Sequence, residues 1–109
     1  MAKTINIKYG DTEYTLEFTR KSVETMERQG FVLEDIRTKP MTTLPALFAG
    51  AFLAHHRFVK GDTVSAIYAK LPNKDELLQK LGEMYSEPIE ALMEEPEDSE
   101  GNLTWGANF

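Results

Sequence analysis

The chain has 109 residues, 41% of them hydrophobic, a length that suits one domain around one core. Without a cysteine it has no disulfide, no thiolate nucleophile and no cysteine-ligated metal. Its net charge of −6 is lopsided: residues 1–80 hold 12 basic against 10 acidic side chains, a net of +2, whereas residues 81–109 hold 8 acidic and no basic ones, a net of −8, which disfavours a phosphate-backbone partner.

The first segment alternates, with Ile5, Ile7 and Tyr9 on one face and Thr4, Asn6 and Lys8 on the other. After Gly10-Asp11 the alternation resumes with Tyr14, Leu16 and Phe18 against Glu13, Thr15 and Glu17. Period-two apolar positions on both sides of a Gly-containing turn predict a β-hairpin over residues 3–18 with one buried face. Such a hairpin is marginal alone in water, so its apolar face needs a helical partner.

Thr19 or Ser22 can cap a first helix carrying Val23, Met26 and Glu27 and ending at Gly30. A short helical piece with Phe31, Leu33 and Ile36 follows, up to the breaker Thr38-Lys39-Pro40. From Thr42 or Thr43 a longer helix is expected to about Val59, with Pro45 tolerated in its first turn. Leu44, Leu47, Phe48, Ala51, Phe52 and Phe58 would form one apolar stripe of it. Ala46, Ala49, Gly50 and Ala54 would form a second face of small residues, open to close approach by another backbone. Gly61 ends that helix, and Asp62 or Thr63 can cap the next, with Val64, Ile67, Tyr68 and Leu71 before Pro72.

Asn73, three residues before Glu76, has capping-box spacing and opens an amphipathic helix through Leu77, Leu78, Leu81, Met84 and Tyr85. A break is expected at Ser86-Glu87-Pro88, with one or two further turns from Ile89 to Met93. The resulting fold class is α+β, mainly α: an N-terminal hairpin packed on a bundle of about five helices in residues 20–95, forming a single globular domain of residues 1–95. Residues 96–109 read as a flexible acidic tail that closes on Leu103, Trp105 and Phe109.

The start of the chain threads charges through its apolar residues and offers no signal-peptide core. The longest charge-free run, the 17 positions from Pro40 to His56, is broken by prolines and a glycine and falls short of the roughly 20 apolar residues of a membrane span. A cytoplasmic protein without a membrane partner is therefore expected.

Chemistry-bearing patterns are scarce. His55 and His56 are adjacent, so on a helix their rings diverge, whereas paired metal ligands need three- or four-residue spacing. One packed ring and one solvated ring at a helix end are expected, not a metal site. The acids from Glu94 to Glu100 carry a proline where a calcium loop needs a ligand. The glycines are isolated, no Gly-x-Ser-x-Gly occurs, and no carboxylate pair stands out as acid and base. No enzyme, cofactor or metal is expected. A small DNA-binding regulator is the alternative reading, from the helix-Gly-helix stretch Ser22 to Ile36. Its would-be reading helix, however, presents Glu34 and Asp35 beside Arg37.

What stands out is surface suited to protein. The candidate contact residues are Leu44, Leu47, Phe48 and Phe52 on the two-faced helix, and Leu103, Trp105 and Phe109 beyond the acidic spacer. Met26, Met41, Met84 and Met93 add adaptable apolar side chains.

Several stretches in order, Tyr14-Thr15-Leu16-Glu17-Phe18-Thr19-Arg20-Lys21, Met26-Glu27-Arg28-Gln29-Gly30-Phe31, Leu47 through His56, Leu71-Pro72-Asn73-Lys74, and an acidic end closing on Trp105, carry a resemblance. Over essentially its whole length the chain resembles the short form of the tail assembly chaperones of long-tailed bacteriophages and of prophages in Gram-positive bacteria. The resemblance implies a non-enzymatic, mostly helical assembly factor that self-associates as a homo-oligomer. It also implies that the chain binds the tape-measure protein in the host cytoplasm during tail assembly and is not retained in the mature virion. The family brings no catalytic residues to carry over.

Overall fold

A computed structural model describes residues 3–94 and 106–109. Strand β1 (Ile5–Tyr9) pairs antiparallel with β2 (Thr12–Leu16), in a register that sets Ile5 opposite Leu16 and Ile7 opposite Tyr14. Gly10 takes a φ of 63°, and Asp11 does not share that positive φ, the pattern of a type II′ hairpin turn. The alternation was a sound guide to the faces: Ile7, Leu16 and Phe18 are buried, and Ile5, Tyr9 and Tyr14 pack against the same core.

Four α-helices and a 3-10 turn follow among the described residues, so the chain is α+β and mainly α. Helix α1 (Arg20–Arg28) begins on a reciprocal capping box in which the Thr19 hydroxyl accepts from the Ser22 amide and the Ser22 hydroxyl accepts from the Thr19 amide. The 3-10 turn Leu33–Arg37 leads into α2 (Pro40–Gly50), which starts with proline at its first position, where no amide donor is missed. Helices α3 (Gly61–Lys70) and α4 (Lys74–Leu92) complete the body. Helix α2 touches α1, α3, α4 and the 3-10 turn, and its Leu47 and Phe48 are almost fully excluded from solvent. Burying each such side chain contributes about 1.5–3 kcal/mol.

Four expectations about helix ends need correction. The helix predicted to reach Val59 stops at Gly50 and gives way to tight turns, in which the amides of Ala51, Phe52 and Leu53 each reach back only three residues. The cause lies outside the helix, because the Ala51 carbonyl accepts the Glu17 amide at 3.0 Å, an external partner for a group the helix ladder would otherwise use. Asn73 does not cap α4 through its side chain; it sits in the left-handed region at φ 54°, tolerable for asparagine, while Lys74 Nζ donates to the Leu71 carbonyl at 2.7 Å. Asp62 and Thr63 likewise fall inside α3, which has no side-chain cap. Finally, Pro88 does not break α4, which continues to Leu92. Proline forfeits one ladder bond and crowds the preceding turn, a cost that here does not end the helix, whose segment before the proline is anchored by buried Leu81, Met84 and Tyr85.

The hairpin is fastened by its second strand. Amides of Thr15 and Glu17 point away from β1, and the first donates to His56 Nε2 at 2.9 Å while the second donates to the Ala51 carbonyl. The turn segment 51–56 thus covers the edge of β2, which would otherwise present unpaired donors.

Candidate functional site

The two histidines sit where this fastening occurs. A backbone amide can only donate, so His56 Nε2 is the lone-pair nitrogen and a neutral ring carries its proton on Nδ1. Its ring lies edge-on to Tyr14 at 5.0 Å and to Phe52 at 6.4 Å. His55 is exposed and its Nε2 lies 2.7 Å from a Glu17 carboxylate oxygen. The rings therefore diverge as their adjacency requires, one half-buried and one solvated, and each serves the hairpin.

Two clefts open on either side of the link Phe31–Val32. The first, of about 470 Å³, lies between that link and α2, with Met26, Ala46, Ala49 and Leu53 among its walls. Here the small-residue face is partly realised: Ala46 and Ala49 are exposed, while Gly50 is buried beneath Met26. A methyl group at Gly50 would lie 2.3 Å from Met26 Cε, so what approaches this glycine is a side chain of α1 and not a second backbone.

The second cleft, of about 600 Å³, runs between the link and the C-terminal half of α4. Its floor is apolar, formed by Phe31, Val32, Tyr85 and Ile89, and its rim carries Glu27, Glu34 and Glu90. No basic side chain is among its described walls; Lys3, at the neighbouring surface of α4, pairs with Glu87 at 3.5 Å. The Tyr85 phenol is held above the ordinary tyrosine range, first by burial and then by the negative charges of Glu27 and Glu34. Val32 is 46% exposed and Ile89 42%, so part of this apolar floor is left in water. Leu92 and Met93 continue the Ile89 face at three- and four-residue spacing and are exposed too.

The sequence-based contact residues divide. Leu47, Phe48 and Phe52 are almost fully buried in the core and offer no surface in the folded chain, because the stripe they form faces α1, α3, α4 and the hairpin and not a partner. Leu44 is half-buried near the start of α2. Phe109 is fully exposed. Leu103 and Trp105 lie outside the described residues, as does most of the acidic tail. Phe58, expected on the buried stripe, is instead 90% exposed on the loop between α2 and α3, because the helix ends before it. Val32 and Ile89 were not singled out as surface. The signal for Ile89 is the spacing Tyr85, Ile89, Met93, one helical face that runs on across Pro88.

The DNA-reading alternative meets a five-residue 3-10 turn where a recognition helix would be needed, with Glu34 and Asp35 in its first turn. Among the described residues no helix is long and apolar enough to cross a membrane, and no group of three or more potential ligands could hold a metal ion.

Fold and surface together define a small hairpin-capped helical protein with two open, partly apolar clefts. The chain belongs to the family described as Domain of unknown function (DUF5055), whose profile matches residues 1–109. Neither a curated protein nor a solved structure matches it.

Proposed function

We propose that this protein is a non-enzymatic tail assembly chaperone of a long-tailed phage or prophage, which self-associates and binds the tape-measure protein in the host cytoplasm without entering the mature virion. The observation that carries the reading is the acid-rimmed cleft between Phe31–Val32 and α4, with Val32, Ile89, Leu92 and Met93 left exposed around it. Contiguous apolar surface edged by charge is the usual mark of a polypeptide-binding site. The resemblance supplies the identity of the client. An elongated, apolar client held only until other subunits replace it calls for shallow, exchangeable contact, and the open cleft with its Met93 neighbour provides that.

Co-expression with the tape-measure protein of the same phage or prophage tests this. The tape-measure protein is expected to move into the soluble fraction and to copurify with this chain. A tape-measure protein equally soluble without it, and never copurifying, would refute the reading.

A further inference from the structure

The loop between α2 and α3 is the chemical complement of the acidic cleft. It reads His55-His56-Arg57-Phe58-Val59-Lys60, with two permanent positive charges and no acid. Phe58 projects from it 90% exposed, with the Arg57 guanidinium 5.7 Å from its ring centroid. Glu17, the acid in direct contact with this loop, is engaged by His55. The loop is held at both sides of the phenylalanine: the His56 amide donates to the Phe52 carbonyl at 2.7 Å, the Val59 amide donates to the His56 carbonyl at 3.1 Å, and Val59 packs against the core. An exposed aromatic on a tethered loop loses little conformational freedom on docking, which favours its use as an anchor.

The cleft has the opposite character. Its apolar floor and three glutamates call for an aromatic side chain carried beside cations. We propose that the Arg57–Lys60 loop of one copy docks in the cleft of a second copy, with Phe58 on the floor formed by Phe31, Val32, Tyr85 and Ile89 and with Arg57 and Lys60 facing Glu27, Glu34 and Glu90. This rests on the assembly-factor reading and deepens it by naming the two surfaces through which copies meet, so that a second copy's loop and the client compete for one cleft. The contact joins two different patches, so it is heterologous, and successive copies can add head to tail. Its charged part weakens as salt screens exposed pairs.

The test is solution mass across a concentration series, by light scattering coupled to size exclusion, for the full chain and two surface variants, Phe58→Asp and Ile89→Asp. Circular dichroism establishes that each variant is folded. The wild-type mass is expected to rise with concentration, less steeply at high salt. Each variant alone is expected to lose affinity for itself by roughly 30-fold or more, the scale of a central anchor. Mixed together, the two are expected to form a one-to-one pair, because Phe58→Asp keeps an intact cleft and Ile89→Asp keeps an intact loop. A wild-type chain that stays monomeric throughout, variants that associate as well as wild type, or a mixture that stays monomeric would each overturn the proposal. Tape-measure copurification by a monomeric chain would overturn this inference alone and leave the client-binding reading standing. Correct pairing of the variants without any effect on the tape-measure protein would do the reverse.

Discussion

Replacing His56 with phenylalanine separates the hydrogen bond that fastens the hairpin from the packing around it. The aromatic contacts with Tyr14 and Phe52 are largely kept, while the Thr15 amide loses its 2.9 Å acceptor. A stranded buried donor costs about 1–3 kcal/mol, and because Thr15 is half-buried the lower end applies, about 1 kcal/mol. For a domain of this size that lowers the melting temperature by roughly 4–8 °C. His56→Ala, which also removes the ring from its aromatic neighbours, is expected to cost about 1 kcal/mol more. Amide hydrogen exchange resolves the cause residue by residue. In His56→Phe the Thr15 amide is expected to exchange faster, while the Glu17 amide, bonded to the Ala51 carbonyl, keeps its protection. Unchanged melting together with unchanged Thr15 exchange would refute the claim that this histidine fastens the strand.

Two further outcomes follow from buried contacts. Gly50→Ala gains helix propensity of about 1 kcal/mol but drives its methyl into Met26, which is only 3% exposed; the overpacking costs about 1–3 kcal/mol, so the variant is expected to be neutral to about 2 kcal/mol less stable. Urea titration of Gly50→Ala, Met26→Ala and the double variant is expected to show the double costing less than the sum of the singles, and strict additivity would contradict the contact. Tyr85 provides a pH dependence. Its folded pKa is raised, so above about pH 10 an unfolded chain gives up that proton while the folded chain keeps it, and stability falls as the pH rises past that point. Tyr85→Phe is expected to flatten this alkaline decline in denaturation midpoints, and an identical decline in both proteins would count against it.

Local signals carried the hairpin and the start of α1, because both are decided within a few residues. One face of the hairpin must be buried, and a two-residue pairing slip preserves that face whereas a one-residue slip reverses it, so the alternation of Ile5, Ile7 and Tyr9 fixes which residues enter the core. Thr19 and Ser22 stand at the spacing a reciprocal cap requires. The end of α2 was not legible, since the Glu17 amide that takes the Ala51 carbonyl arrives from the other end of the domain. Nor was the second cleft, whose walls come from the Phe31–Val32 link and from α4 and whose floor continues across a proline.

The early end of α2 is also what creates the exposed aromatic. Had the helix run on to Val59, Phe58 would have shared a face with Phe48 and Ala51, a face that the structure buries. Because the Ala51 carbonyl is bonded to the Glu17 amide just past β2 and His56 accepts from Thr15, the chain turns at residues 51–56 and Phe58 emerges into solvent beyond the turn. One set of contacts therefore covers the edge of the hairpin and sets the direction of the loop that carries Arg57, Phe58 and Lys60. The features that look like a departure from helical patterning are, on this account, the means by which a chain with a single small core keeps one large aromatic outside it.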